Sequence, residues 1–280
     1  MSGARGLIGV ITNNQHEVFQ QAVIRGVDEA AAARGYRVVV DSIAEDPARP
    51  RPVALDLEAM SGILVIANIL PDDRLRELHE AGRPMTLISH HVAGLPIPSV
   101  ITDNRRGMGL LARAMIEQCG CRRLVYIRGD MRQVDAVERD QAVEHELMRA
   151  HLTIEPEFLL DGQFEPALTG RLMNDLLRRR CDFDGVLAAD YQMALAALYA
   201  LQHAGLRVPD EVQVAGFGDG IEAAEAGLTT VAADVVEQGR RGVRQLIGQM
   251  EGLRMRGMTV LNTSIIARAT TRQPEMEAPP

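Results

Sequence analysis

Short apolar runs, each closed by a polar or glycine-containing loop and followed by a stretch with helical spacing, recur along the chain. Leu7–Thr12 (LIGVIT), Tyr36–Val40, Ile63–Ala67, Met85–Ser89 and Ser99–Thr102 read as strands. Between them, helices are predicted over Val18–Arg34, closed by Gly35, over a short Val53–Met60, over Pro71–Ala81 with Gly82 just beyond, and over Asn104–Gln118. A charged, proline-containing loop, 45–52, follows the second strand. The pattern then starts again. Arg123–Arg128 is a strand, Asp135–Ala150 a helix, Pro156–Leu160 a short strand and Ala167–Arg180 a helix. After Leu228–Val231 come a helix over Val235–Glu251 and terminal strands Met258–Asn262 and Ser264–Ala267. Strands alternating with helices make parallel sheets, so the chain is α/β, with two halves of similar build.

The most informative stretch is 181–234. Gly185–Ala189 is an apolar strand that ends at Asp190. Gln192–Ala204 is a helix, with Met193, Leu195, Ala196, Leu198 and Leu201 at helical spacing. Gly205 stops it, Val208-Pro209-Asp210 punctuates the connection, and Val212–Phe217 is the next strand. Two short strands joined through a helix lie parallel, and such sheets bind ligands outside the carboxyl ends of their strands. That rule points to Asp190-Tyr191 and to Gly216–Gly220.

Composition narrows the reading. A chain of 280 residues with 46% hydrophobic positions fills one large or two ordinary domains, and with 3% aromatics and no Trp its core must be aliphatic and Met-rich. A net charge of −8 gives no overall attraction for nucleic acid. The three Cys, two of them in Cys119-Gly120-Cys121, form neither a disulfide framework nor a metal-ligand pattern. No apolar run approaches the ~20 residues of a membrane span, and no signal-peptide segment opens the chain. A reducing cytoplasm is the expected compartment.

The order of these signals resembles the effector-binding core of the LacI/GalR family of transcription regulators, over about residues 6–272. GLIGVIT with VFQQAVIRGVDEAAAARGY is similar to the family's opening strand and helix. MSGILV resembles its third strand. PSVITDNRRGMGLLARAMIEQCGCRRLVYIRGD is similar to its Asp-Asn segment and long helix, and VERDQAVEHELMRAHL to its Glu-Arg-x-x-Gly helix. LLDGQFEPALTG, VLAADYQMALAALYALQHAGLRVPDEVQVAGF and LTTV complete the match. The resemblance implies a periplasmic binding protein-like type I fold: two Rossmann-like parallel-sheet subdomains around a cleft, joined by three hinge crossovers. Their expected extents are 6–118 with 235–262, and 119–234 with 263–272, leaving a tail at 273–280. It also implies a homodimer whose small-molecule effector (a sugar, sugar acid or related polar metabolite) controls attached DNA readers. The family places a helix-turn-helix before this core, whereas six residues precede the first strand here. Operator DNA is thus expected only through a reader that this sequence lacks. The alternative is the solute-binding protein of a sugar transporter.

Site residues follow from the same motifs. Arg139 matches the Arg of Glu-Arg-x-x-Gly, which grips ligand hydroxyls or a carboxylate in the family; the bland reading is a salt bridge with Glu138 or Asp135. Phe164 matches an aromatic that stacks on the ligand, and Phe19 matches another. Phe19 is equally suited to packing on the core. Asn13 and His16 share a loop with it; Asn13 is a candidate hydrogen-bonding residue, and His16 suits a solvated loop. His90, of the His90-His91 pair, is expected to face the cleft; adjacent strand residues point to opposite faces, so the pair does not chelate one metal. Asp103 suits a helix cap. Asp190 suits both a cap and a ligand acceptor, and Tyr191 stands where the family has Asp. The family's clamp reads Gly-Tyr/Phe-Asp-Asp, whereas this chain has Gly216-Phe217-Gly218-Asp219. Gly218 removes one carboxylate, and Asp219 is the one carried over. No cofactor is expected. Neither a G-x-S-x-G elbow, a full G-x-G-x-x-G loop nor a Walker loop occurs, so an enzyme is not expected.

Overall fold

The strands form where apolar runs meet β-branched residues, and the helices wrap both faces of the sheets they build. The computed structural model describes residues 5–15, 17–43, 52–180 and 182–272. His16, most of the 45–52 loop and the tail from 273 lie outside the described residues. In chain order the elements are β1 (Gly6–Thr12), α1 (Val18–Ala32), β2 (Tyr36–Ser42), β3 (Gly62–Ile66), α2 (Asp72–Glu80), β4 (Met85–Ile88), β5 (Ser99–Thr102), α3 (Asn104–Arg113), β6 (Leu124–Arg128) and α4 (Val134–Arg149). There follow β7 (Leu159–Asp161), α5 (Pro166–Leu177), β8 (Gly185–Ala188), α6 (Tyr191–His203), β9 (Gln213–Phe217), α7 (Ile221–Glu225), β10 (Thr229–Ala232), α8 (Val235–Met250), β11 (Met258–Leu261) and β12 (Ser264–Ile266).

Two six-stranded sheets result, ordered β11-β5-β4-β3-β1-β2 and β12-β10-β9-β8-β6-β7. Every pairing in the first is parallel. In the second only β12 runs antiparallel, against β10.

The chain divides into two compact units: the described residues up to Thr102 with Asp234–Leu261, and Asp103–Ala233 with the described residues from Asn262. The first boundary thus falls at Thr102, rather than after Gln118 as the sequence suggests. Helix α3 packs on α4 and belongs to the second unit. Its buried first residue decides this. Asn104 Nδ2 donates to Asp135 Oδ1 (2.9 Å) and Glu138 Oε2 (3.0 Å), both on α4.

In the first unit, alternation along the strands separates two apolar layers. Ile8, Val10, Leu64, Ile66 and Ile88 meet Val23, Val27, Val243 and Leu246 from α1 and α8. Ile11, Ile63, Val65 and Leu87 meet Leu75 and Leu78 from α2 on the other face.

Three local expectations are corrected. Residues Val53–Met60 form turns instead of a helix. The Asp41 carboxylate accepts the backbone N–H groups of Ala54 and Leu55, Asp56 Oδ1 accepts from Glu58 N (3.0 Å), and Leu55 and Leu57 pack on the core. The stretch Pro156–Leu160 opens as a 3-10 turn, Pro156–Phe158, before β7. The helix from Asn104 changes to a π-turn over Ala114–Gln118.

Helices α1 and α8 approach so closely that only glycine fits at two positions. A Cβ on Gly26 would lie 1.9 Å from the Val236 carbonyl oxygen, and one on Gly239 would lie 2.1 Å from that of Val23. Gly26→Ala is therefore expected to lower unfolding stability by about 1–3 kcal/mol, seen as a reduced denaturant midpoint at unchanged slope.

Candidate functional site

The second unit collects polar and aromatic side chains at the carboxyl ends of β6, β8 and β9. Arg139, on α4, is at the centre. Its side chain is 11% exposed. Nε donates to Asn104 Oδ1 (2.9 Å) and Nη1 to the Ala189 carbonyl (2.9 Å), and Nη2 lies 3.5 Å from Asp135 Oδ2. The guanidinium carbon stands 3.9 Å from the Phe217 ring centroid and 5.9 Å from that of Phe164. Burial pulls the guanidinium down from its ordinary value, and Asp135 and then Asp190 oppose that pull. Arginine remains charged through such a shift, so the group is a fixed cation with one face on an aromatic ring.

Phe164 is held by its backbone and by a glycine. It adopts φ +60, and its ring fills the space where a Cβ on Gly129 would sit, 2.2 Å from Phe164 Cζ. Asp190 caps α6: its Oδ1 accepts from Met193 N at 2.9 Å. Burial nevertheless raises its carboxyl to about 6, against the stabilising N–H of Met193 and the Arg139 charge. The expected cap is thus present, as is the one at Asp103, which accepts from Arg106 N (3.1 Å).

Asp219 is placed differently. Arg268 takes both its oxygens, Nη1 to Oδ1 and Nη2 to Oδ2 at 2.8 Å each, and Thr230 Oγ1 donates to Oδ1 (2.9 Å). Burial alone would raise this carboxyl, but Arg268 and Thr230 outweigh it and hold it below the usual carboxylate range. Tyr191 is 6% exposed and packs on the Gly218–Gly220 loop.

Asn13, Phe19 and His90 belong to the first unit. Asn13 Oδ1 accepts from Gln20 Nε2 (2.8 Å), whose Oε1 accepts from Thr12 Oγ1 (2.6 Å). Phe19 packs against the apolar layer of α1 and α8. His90 is buried, with Nε2 3.5 Å from Asp72 Oδ1; burial lowers its pKa more than Asp72 raises it, so the ring is held towards neutral.

Asn104 is not among the site residues that the sequence suggests, whereas Phe217 lies in the Gly216–Gly220 loop to which the strand-end rule points and Asp135 is a named ion-pair partner of Arg139. The signals for these two are one of only five Phe in the chain at the end of a strand, and an Asp four residues before Arg139.

The family model for the periplasmic binding protein-like domain matches residues 112–271. The chain belongs to the periplasmic binding protein-like family. Among curated relatives it is 27% identical to the ribose operon repressor of Halalkalibacterium halodurans over 276 residues, 95% of this chain and 80% of that protein. It is likewise 27% identical to the HTH-type transcriptional repressor CytR of Escherichia coli over 269 residues, 94% of this chain and 78% of that one. The structure superposes on that of a transcriptional regulator CelR–cellobiose complex with a TM-score of 0.81 at 27% identity, covering 96% of this chain and 85% of the other. Within the periplasmic binding protein-like family this chain has the build of the LacI-type effector-binding core, and its relatives are repressors rather than transporter components or enzymes. Among the described residues no helix is long and apolar enough to cross a membrane.

Asp190 provides a pH test. Its folded-state pKa, about 6, lies above the ordinary carboxylate value, so ionisation costs the folded state stability above that pH and the cost disappears as pH falls. Asp190→Asn keeps a capping oxygen and removes the charge. The variant is expected to be more stable than the parent near pH 8, with the advantage shrinking as pH falls through about 6 towards about 4, measured by denaturant titration at each pH.

Proposed function

We propose that this chain is the effector-sensing part of a transcription regulator, that its effector is a sugar, sugar acid or related polar metabolite, and that Arg139 is the principal anchor. The observation that carries this is a desolvated guanidinium at the carboxyl ends of three adjacent strands, backed by Phe217 and fixed by Asn104 and Ala189. A guanidinium has five N–H donors. The protons not taken by Asn104, Ala189 and Asp135 are those that an effector's paired hydroxyls or carboxylate would take. Phe164 supplies an aromatic face beside them. The names of the relatives, a ribose operon repressor and a cellobiose-bound regulator, support a carbohydrate-like effector.

In the same reading operator DNA is contacted through a helix-turn-helix, in a homodimer, in the cytoplasm. Effector binding alters DNA affinity only to the extent that it favours one conformation over another.

A thermal-shift screen of sugars, sugar acids, nucleobases and amino acids is expected to return a stabilising ligand. Arg139→Ala should then weaken that ligand by about ten- to a hundredfold by calorimetry, with an unchanged circular dichroism spectrum. Unaltered affinity would remove Arg139 from the site. Light scattering at micromolar concentration is expected to give a dimer; a monomer would count against the regulator assembly.

A further inference from the structure

The chain passes from one unit to the other at Thr102–Asp103, Ala233–Asp234 and Leu261–Asn262. The first turn of α3 adjoins the second-unit side of all three crossings. Its first residue, Asn104, follows Asp103 directly and is buried. Gly107 is buried as well, and α3 packs there on β9, β10 and β12. A Cβ on Gly107 would lie 2.8 Å from Phe217 Cε2, 2.8 Å from Thr263 Oγ1 and 2.9 Å from Val231 Cγ1. Val231 stands just before the second crossing and Thr263 just after the third. Only a residue without a side chain allows this approach.

The same turn holds Arg139. Asn104 Oδ1 accepts from Arg139 Nε, and Phe217, with its ring centroid 3.9 Å from the guanidinium carbon, reaches Gly107 with its edge. The turn is itself fixed at the first crossing. Asp103 Oδ1 accepts from Arg106 N (3.1 Å), and the Asp103 carbonyl accepts from Gly107 N (3.0 Å). Thr263 Oγ1 is buried and has no hydrogen-bond partner among the described residues, so packing against Gly107, and not a bond, locates it. A capped helical turn packed at this density shifts as one piece.

We infer that the first turn of α3, from Asn104 to Gly107, is a relay that ties the state of Arg139 to the backbone of all three crossings. A change in the load on the guanidinium alters the pull on Asn104 and the seat of the Phe217 ring, and both displacements end on crossing residues. This relay rests on the effector reading of the Arg139 face and adds regulation to it. A ligand that takes the remaining guanidinium protons acts on the crossings through the helix, with no contact of its own there. Coupling of this kind is reciprocal, so disturbing Gly107 also disturbs the surroundings of Arg139.

Amide hydrogen exchange, read by mass spectrometry on the ligand-free protein, tests this without a known effector. Arg139→Ala is expected to speed exchange about three- to tenfold in peptides spanning 100–104, 231–235 and 260–264, with peptides from α1 and α5 unchanged. Gly107→Ala should do the same and, by reciprocity, speed exchange over 135–142. The control is Glu146→Ala, which releases Arg113 and Arg149 further along α3 and α4 without touching the first turn. It is expected to leave the three crossings at the parent's rates. Crossings that do not respond to Arg139→Ala would overturn the relay, as would an equal response to Glu146→Ala or a rise spread over the whole chain. Should Arg139→Ala fail to fold, Gly107→Ala decides: unaltered exchange over 135–142 removes the coupling. The effector reading fails separately. If no ligand's affinity depends on Arg139, the effector falls and the exchange comparison still decides the relay. If a ligand needs Arg139 but the crossings stay silent, only the relay falls.

Discussion

A cation taken out of water must be paired or hydrogen-bonded, and the second unit is arranged around meeting that demand for Arg139. The partners come from separate elements: Asp135 one turn earlier on α4, Asn104 from the start of α3, the Ala189 carbonyl just past β8, and the Phe217 ring at the end of β9. Each is a group that secondary structure leaves over at an end. Satisfying one guanidinium thus draws two helices and two strand termini to a common point. Asn104 is the pivot, because its amide donates to Asp135 and Glu138 while its oxygen accepts from Arg139.

Two carboxylates on neighbouring loops show how placement decides chemistry. Asp190 and Asp219 each follow a parallel strand of the same sheet. Asp219 meets the Arg268 fork and a threonine hydroxyl, and its charge is neutralised inside the protein. Asp190 meets backbone N–H groups and a cation already shared with others, and burial prevails. A sequence shows two acids after two strands; only the return of the chain past β12 to Arg268 distinguishes them.

The α/β alternation was legible because short apolar strands and amphipathic helices leave separate periodicities. Motif position marks Arg139, Phe164 and Asp190 in the sequence, and the structure gathers them with Phe217 in one unit. What sequence did not reveal depended on contacts distant in the chain. Helix α3 reads as a continuation of the first half until the Asn104 amide is seen on α4. Residues Val53–Met60 carry helix-compatible side chains, but the Asp41 carboxylate captures their backbone N–H groups. Phe19 and Phe164 both read as stacking aromatics. Phe19 packs on the layer between α1 and α8, whereas Phe164 is turned by its positive φ onto Gly129 beside the guanidinium.

The glycines beneath Tyr191 constrain how this loop could have changed over time. With the tyrosine ring in place, a side chain at 220 displaces the end of that ring and one at 218 presses on its edge, and 218 also carries a backbone conformation that suits glycine. Exchanging this aromatic for an acidic clamp by altering the loop first requires the tyrosine ring to shift. A smaller residue at 191 eases a carboxylate at 218, and in the reverse direction a loop without side chains at 218 and 220 eases a tyrosine at 191. Packing thereby favours one order of substitutions, and intermediates that depart from it are expected to be less stable than either end of the path.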